Sequence, residues 1–187
     1  MLIEIRWHGR GGQGAWTASN LVAMAAALGG KHVQSFPAFG PERSGAPMLS
    51  FTRISDTPIE IHSMIYNPDI LVVLDYTLLS PSILQGLKPE GVVVTNYPGK
   101  RDFVYEKLGA KNKDLKMVLV PASKLALEIL RANITNTAMI GGLLHIKGLL
   151  RWEDVEKAVR QRFSPNIASK NLELIKKSFE SSEVIGL

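Results

Sequence analysis

A glycine-rich hexapeptide near the N-terminus has the residue types and spacing of an anion-binding loop. It consists of Gly9, Arg10, Gly11, Gly12, Gln13 and Gly14. Glycines in this G-x-G-x-x-G pattern let backbone N–H groups approach a phosphate, and a helix that starts at the last glycine adds positive potential. Arg10 contributes a cation that can pair with the anion. We therefore expect an anion site here. The same glycines also suit a tight turn with close helix packing, and that alternative stays open.

A second candidate segment is the proline- and glycine-rich stretch from Pro37 to Pro47. Its three prolines and two glycines exclude both a regular helix and a central strand, so we expect an ordered loop or a mobile lid. Polar residues Glu42, Arg43 and Ser44 lie inside it. Loops held by a rigid scaffold often carry function, and we expect these residues to contact a ligand or a partner. The alternative is that Glu42 and Arg43 only fix the loop through local hydrogen bonds.

The pattern lacks the acid that marks a nicotinamide dinucleotide site. Such sites place an Asp or Glu about 20 residues beyond the glycines, where it binds the ribose hydroxyl. Here the second predicted strand ends in Gln34-Ser35-Phe36, and the nearest acid is Glu42 in the irregular loop. Asp75 follows a buried strand, at the sheet edge where ligand crevices form, but it equally suits the cap of a helix that begins near Thr77.

Other common catalytic arrangements find no support in the sequence. There is no cysteine, which excludes disulfides, thiolate metal sites and cysteine-ligated iron–sulfur clusters within this chain. The four histidines show no metal-ligand spacing, and no serine lies in a nucleophile-elbow pattern. We expect no metal site and no self-sufficient active site.

The segments around these loops predict an α/β fold. Predicted strands cover residues 3–7, 31–36, 70–74, 92–94 and 117–120, and the unbroken apolar runs among them are typical of strands buried on both faces. Residues 48–54 and 58–62 alternate around the turn Ser55-Asp56-Thr57-Pro58 and predict an antiparallel hairpin. Predicted helices cover Ala15–Leu28 and residues 122–131.

Only helices are expected from Asn136 to the C-terminus, over Thr137–Leu150, Trp152–Phe163 and Asn166–Ser181. Gly141 and Gly142 lie within the first of these, and two glycines in a helix interior cost roughly 1 kcal/mol each relative to alanine. We expect close backbone packing to offset this cost, either inside the domain or against another subunit, and we favour packing inside the domain. The predicted fold is a single three-layer domain over residues 1–187. Its sheet is mainly parallel and Rossmann-like, with an inserted antiparallel hairpin and a helical C-terminal third.

Charge and hydropathy exclude several further classes. The net charge is +5, but the basic residues are scattered and interleaved with acids, which argues against nucleic-acid binding. The uncharged stretch from Gly11 to Gly30 opens with glycines and contains polar residues, so we reject a membrane span. The N-terminus shows no secretory pattern, and we expect a cytoplasmic protein.

The ordered set of motifs is more specific than any one of them. It comprises Gly9–Gly14, then Phe39–Pro47, then Asn67-Pro68-Asp69 leading to Leu74-Asp75, and Asn133–Thr137 with Gly141-Gly142 in the helical third. This set, over essentially the whole chain, resembles the gamma subunits of the 2-oxoacid:ferredoxin oxidoreductase family. At the position of Ser44 such subunits often have a second basic residue, so this sequence departs from a doubly basic clamp.

The resemblance implies a non-autonomous subunit. The complex would oxidatively decarboxylate a 2-oxoacid, pyruvate or a related acid, on thiamine diphosphate with Mg²⁺. Electrons would pass through iron–sulfur clusters to ferredoxin, and the acyl group would pass to coenzyme A. The partners implied are alpha, beta and delta-type subunits, which hold the thiamine and cluster sites. This chain would hold none of the cofactors alone; it would build the assembly and border the coenzyme A approach.

Two other functions are alternatives to this one: a stand-alone NAD(P)-dependent oxidoreductase, and a phosphate-, nucleotide- or nucleic-acid-binding module. The missing acid after the second strand argues against the first, and the scattered basic residues argue against a nucleic-acid module.

Overall fold

The computed structural model describes residues 1–38, 44–97, 99–109 and 115–187. Within these ranges the chain forms one seven-stranded sheet and six α-helices. The strands are β1 (Leu2–Arg10), β2 (His32–Pro37), β3 (Pro47–Ser55), β4 (Ile70–Val73), β5 (Val92–Asn96), β6 (Lys116–Val120) and β7 (Glu183–Ile185). The helices are α1 (Ala15–Leu28), α2 (Arg101–Leu108), α3 (Ala122–Leu130), α4 (Asn136–Leu143), α5 (Trp152–Arg162) and α6 (Pro165–Ser181). Two short 3₁₀ helices, Tyr76–Leu78 and Pro81–Leu84, lie between β4 and β5.

The sheet is mixed, with the strand order β2-β3-β1-β4-β5-β6-β7. β1, β4, β5 and β6 are parallel neighbours, whereas the pairs β2–β3, β3–β1 and β6–β7 are antiparallel. The α/β class is therefore confirmed, while parallel pairing is confined to the centre of the sheet. There β4 is buried along its whole length, as a strand covered on both faces must be.

Side chains of the central strands alternate between two apolar cores. Ile70 and Val72 point to one face, where they join the core formed with α1, α3, α4, α5 and α6. Leu71 and Val73 point to the other face, where they pack with Ile83 of the second 3₁₀ helix and with α2. Helical elements thus cover both faces of the strands β4 to β6.

The predicted hairpin was placed on the wrong pair of strands. Residues 48–54 do lie in β3, but β3 pairs with β2 and β1, and residues 58–62 form no strand. Arg53, on β3, explains the difference because it donates to the backbone carbonyls of Ile61 at 3.4 Å and Ser63 at 2.8 Å. A buried side chain fixes this segment to the sheet in place of a ladder of backbone hydrogen bonds.

The prediction that no strand follows Asn136 was also wrong. β7 is a three-residue strand that pairs antiparallel with β6, with Val184 opposite Val118. So short a segment shows too little alternation for a sequence pattern to predict it. Its position at the sheet margin is supported by an ion pair between Arg101 and Glu183, 3.1 Å from Nη1 to Oε1.

The helix boundaries were predicted well except in two places. Helix α1 has the predicted bounds, and α5 and α6 agree within one residue at each end. Helix α4 ends at Leu143 rather than Leu150, and turns that include Gly148 at a φ of 77° follow it. Helix α2 was not predicted.

The two glycines of α4 pack inside the domain, as expected. A Cβ added to Gly142 would lie 2.5 Å from Cγ2 of Val120 and 2.8 Å from Cγ1 of Val94. A Cβ on Gly141 would meet the backbone oxygen of Ile175 and lie 2.7 Å from Cβ of Ser178. Helix α4 therefore lies between the sheet and α6 at a distance that only glycine allows.

Candidate functional site

The glycine hexapeptide lies between two neighbouring parallel strands whose outgoing connections run to opposite sides of the sheet. β1 leads through α1 to β2 on one side, and its parallel neighbour β4 leads to β5 on the other side. Ligand crevices of open α/β sheets form at such points, outside the carboxyl ends of the strands. The loop after β1 and the residues after β4 are therefore the natural place for a site.

Two glycines of the loop have conformations that other residues rarely adopt. Gly12 and Gly14 have φ values of 91° and 75°, and Gly14 is the N-cap residue of α1. Gly9 is required for another reason, because an added Cβ would lie 3.1 Å from Cβ of Ala15. The loop thus combines the tight turn and the close helix packing that the sequence left open, and it leaves the start of α1 without a side-chain cap.

Arg10 is bound by neighbouring residues rather than left free for a ligand. Its Nε donates to Oδ2 of Asp75 at 3.1 Å, Nη1 to the Gly45 carbonyl at 3.2 Å, and Nη2 to Oγ1 of Thr77 at 3.0 Å. The carboxylate of Asp75 offsets the positive charge of Arg10. Arg10 therefore joins three segments of the site, and its electrostatic contribution to anion binding is reduced.

Asp75 both caps a helix and faces the glycine loop. It accepts hydrogen bonds from the backbone N–H of Thr77 at 2.9 Å and from Nε2 of Gln13 at 2.8 Å. Burial would raise the pKa of Asp75, but hydrogen bonds from Thr77 and Gln13 and the charge of Arg10 outweigh burial and lower its pKa below the ordinary value. The side chain is therefore an anion that fixes the loop.

The end of the proline-rich loop lies against the glycine hexapeptide. Gly45 donates to the carbonyl of Gly11 at 3.0 Å, and Gly11 donates to that of Ala46 at 2.8 Å. Ser44, next to this pair, is exposed. Glu42 and Arg43 lie outside the described residues, so their predicted contacts stay predictions.

Polar residues from distant segments complete this edge of the sheet, and sequence reasoning did not assign them to the site. Nδ2 of Asn96, at the end of β5, donates to the carbonyl of Leu74 at 3.0 Å, and Oγ1 of Thr135 donates to the same carbonyl at 3.4 Å. Asn136 follows and approaches Gly14. The sequence signals were the position of Asn96 at the end of a buried strand and the place of Thr135 and Asn136 in the motif Asn133–Thr137.

A second polar cluster, formed around Arg6 and His8 of β1, was missed altogether. Arg6 donates from Nε to Nε2 of His8 at 3.1 Å and from its two terminal nitrogens to the carbonyls of Tyr66, Ile83 and Gln85. Burial and then the charge of Arg6 lower the pKa of His8 to about 3. His8 is therefore a neutral acceptor near pH 7 and has a structural role here.

Among the residues that the structure describes, no group of three or more His, Cys, Asp or Glu side chains could hold a metal ion. Over the same described ranges, no helix has the length and apolar character needed to cross a membrane.

The sequence profile of the pyruvate ferredoxin/flavodoxin oxidoreductase family matches residues 4–181. The chain belongs to this family. It is 47% identical, over the full length of both chains, to the common gamma subunit of the pyruvate/ketoisovalerate oxidoreductases of Pyrococcus furiosus.

Solved structures of the same family have the same fold. The pyruvate oxidoreductase subunit PorC of Thermotoga maritima superposes with a TM-score of 0.87 at 38% identity, covering 98% of each chain. The gamma subunit of a keto/oxoacid ferredoxin oxidoreductase from Geobacter sulfurreducens gives a TM-score of 0.76 at 26% identity, covering 96% of this chain and 95% of its own. Membership of the oxidoreductase family does not favour the stand-alone nicotinamide enzyme or the nucleotide-binding module.

Proposed function

We propose that this chain is the gamma subunit of a multi-subunit 2-oxoacid:ferredoxin oxidoreductase. The observation that carries the proposal is the match over the whole chain to gamma and PorC subunits, in sequence and in fold. The complex converts a 2-oxoacid, pyruvate or a related acid, and coenzyme A to acyl-CoA and CO₂ while ferredoxin accepts the electrons. We infer a cytoplasmic location for it.

The cofactors of this reaction belong to the partner subunits in our proposal. The chain has no cysteine, so it has no ligands for a cysteine-bound iron–sulfur cluster. Alpha, beta and delta-type subunits would hold thiamine diphosphate, Mg²⁺ and the clusters, and ferredoxin would dock on the complex they form. The gamma chain contributes the assembly surface and the edge of a shared site.

We further propose that the glycine loop borders the coenzyme A approach and binds a phosphate-bearing group. Gly9 to Gly14 supply the turn, and Arg10, Arg43 and Ser44 supply polar groups around it. The N-terminus of α1 favours negative charge by about 0.3 to 1 kcal/mol, which is too little for tight binding by this chain alone. A neighbouring subunit would complete the site. The competing proposal is that the loop packs directly against that subunit.

The description of the sheet as Rossmann-like is part of the same proposal. The parallel strands β1, β4, β5 and β6, and the glycine loop at the change of direction between β1 and β4, support it. The antiparallel strands at both margins are then additions to that centre.

Reconstitution tests the subunit function. The tagged full-length chain would be produced alone and together with candidate alpha, beta and delta subunits, and each preparation assayed with a panel of 2-oxoacids, coenzyme A and a viologen dye. We expect no turnover by the chain alone, co-purification of the partners, and coenzyme A-dependent dye reduction by the complex. Turnover by the isolated chain, or full activity of the partners without it, would overturn the proposal.

Separate Arg10→Ala and Arg43→Ala variants of the complex distinguish the two proposals for the loop. A raised KM for coenzyme A with intact assembly supports the anion site. Loss of co-purification, with unchanged coenzyme A kinetics in the complex that remains, supports direct packing against a partner.

A further inference from the structure

An apolar cavity opens on the surface where α5 begins and α6 ends. Its volume is about 540 Å³, within the range of about 300 to 1,000 Å³ that is usual for binding pockets. The lining residues come from the turns after α4, the start of α5 and the C-terminal part of α6: Leu144, Leu150, Trp152, Lys176, Phe179 and Glu180. The cavity lies beyond the C-terminal end of α4, whereas Asn136, at the other end of that helix, approaches Gly14. It is therefore separate from the glycine loop.

The walls of the cavity are apolar side chains that the domain does not cover completely. Phe179 is 41% exposed. Leu144, Leu150 and Trp152 pack against the larger core but are only partly buried. Apolar side chains that surround an open cavity are typical of an interaction surface.

The exposed ring of Phe179 is supported by a neighbouring ring. It stacks on the imidazole of His145, with the ring centroids 4.2 Å apart and an angle of 14° between the planes. Nε2 of His145 also donates to the carbonyl of Phe179 at 2.9 Å. Because these contacts already order the ring, little conformational entropy is lost when another surface packs on it. Ordered aromatic side chains of this kind contribute most to the affinity of protein interfaces.

The rim of the cavity has an excess of positive charge. The charge of Glu180 is offset by Lys177, with 4.0 Å from Nζ to Oε2. Lys176 is exposed on the same helix and forms no ion pair within the described part of the chain. Lys147, in the turns after α4, is also exposed. Electrostatic complementarity therefore favours a partner that carries acidic residues here.

We propose that this cavity is a docking site for another subunit of the oxidoreductase, which inserts an apolar side chain flanked by acidic residues. The apolar side chain packs between Trp152 and Phe179, and the acids pair with Lys176 and Lys147. A second copy of this chain fits poorly, because a symmetric contact would place the same lysines against each other. This inference rests on the proposed function for the identity of the partner as another subunit.

Single introduced cysteines test the position of the contact, since the chain has none of its own. Lys176→Cys places a thiol at the rim. Lys170→Cys is the control, because Lys170 is exposed on α6 and does not line the cavity. Each variant would be treated with a maleimide–polyethylene glycol reagent, alone and assembled with candidate alpha, beta and delta subunits. We expect the thiol at position 176 to lose its reactivity in the complex and the thiol at position 170 to keep it.

Two pairs of variants test the chemistry of the contact. Phe179→Ala removes an apolar wall, and Ile167→Ala is its control because Ile167 is 50% exposed on the same helix outside the cavity. In biolayer interferometry with the assembled partner subunits, we expect about tenfold weaker binding for Phe179→Ala and less than about twofold for Ile167→Ala. Lys176→Glu should slow association and reduce its salt dependence, whereas Lys170→Glu should not. Equal effects within each pair would overturn the proposal.

The isolated full-length chain gives a measurement that needs no partner. Anilinonaphthalene sulfonate combines apolar rings with an anionic group, as the proposed partner surface does, and its fluorescence rises on binding to exposed apolar surface. We expect the wild type and Lys170→Glu to bind the dye equally, and Lys176→Glu to bind it about fivefold more weakly. Equal binding by all three proteins would contradict the assigned chemistry of the cavity.

The remaining outcomes separate this inference from the subunit function. If no partner co-purifies, the subunit function fails and the docking site fails with it. If the partners co-purify but the thiol at position 176 stays fully reactive, only the docking site is overturned. Loss of that reactivity in the isolated chain, together with the mass of a dimer in light scattering, would show that a second copy covers the cavity and would also overturn the proposal.

Discussion

The buried side chain of Arg53 replaces backbone pairing for the irregular segment that follows β3. Arg53 is 1% exposed, and its guanidinium pairs with Glu4, with 2.9 Å from Nε to Oε1, while it also donates to Gln34 and to two carbonyls of the segment after β3. So many partners satisfy a charge that would otherwise be expensive to bury. The position of that irregular segment therefore depends on one side chain.

Replacing Arg53 by Met should destabilise the protein strongly. The change leaves Glu4 and the carbonyls of Ile61 and Ser63 without their donor, and we expect the free energy of unfolding to fall by about 3 kcal/mol. Lys88→Met is the control because Lys88 and Asp69 form a more exposed pair, with side chains 40% and 31% exposed. That change should cost at most about 1 kcal/mol. Urea unfolding of both variants measures the difference, and equal losses would contradict the role of Arg53.

The lowered pKa of His8 predicts that the stability of the protein depends on pH. Its pKa is lowered from 6.5 to about 3 in the folded protein, so between these values the unfolded chain binds a proton that the folded chain does not. Stability from this residue is complete above pH 6.5 and is lost as the pH falls toward 3. The slope approaches about 1.4 kcal/mol per pH unit. His8→Gln should show a flatter profile in urea titrations between these pH values. Parallel profiles of wild type and variant would refute the prediction.

At the scale of single residues, prediction from sequence succeeded for contacts between sequence neighbours and failed for contacts between distant segments. The glycine loop, its place between β1 and α1, and the capping role of Asp75 were predictable because each depends on neighbours in sequence. The pairing of Arg10 with Asp75 and the approach of Asn136 to Gly14 were not, since both join residues that only the folded sheet brings together. Arg6 and His8 were missed for the same reason.

At the scale of elements, prediction succeeded where the local sequence pattern was strong. Helix α1 is rich in alanine, and the central strands β4 to β6 are unbroken apolar runs, whereas α2 has neither signal. β7 has three residues, and β3 pairs with β1 and β2 rather than with the residues that follow it, so neither feature was visible in a local pattern. The structure of such elements is determined by the strands with which they pair.

In helix α4, the effect of close packing can be compared with the effect of intrinsic helix propensity. Gly142→Ala should favour the isolated helix by about 1 kcal/mol. The added methyl group, however, would collide with Val120 and Val94, and overpacking of this kind costs about 1 to 3 kcal/mol. We expect a net loss of stability, measured by urea unfolding.

The variant Val120→Ala removes one of the groups with which the new methyl group would collide. The double variant with Gly142→Ala should lose less stability than the sum of the two single changes, because the Cγ2 group nearest to the new methyl is gone. Strictly additive losses would show that Val120 does not limit the approach of α4 to the sheet.

At the scale of the whole molecule, the two cores share one sheet. The larger core joins β1, near the N-terminus, to α6, close to the C-terminus, and β7 returns the last described segment to β6. The smaller core uses the opposite side chains of the same strands β4, β5 and β6. Neither core can be exposed without disturbing the strands that support the other.

This arrangement predicts that residues 1–187 unfold as one domain. Trp7 of β1 is fully buried and donates from Nε1 to Oγ1 of Thr52 at 3.0 Å, whereas Trp152 begins α5 at the far side of the larger core. Urea unfolding followed by the fluorescence of each tryptophan, in variants with the other two replaced by Phe, should give the same midpoint as far-UV circular dichroism. A separate, earlier transition of Trp152 would show that the helical third unfolds by itself. We expect coincident curves because α4 and α6 contribute to the same core as β1, so their release would also expose Trp7.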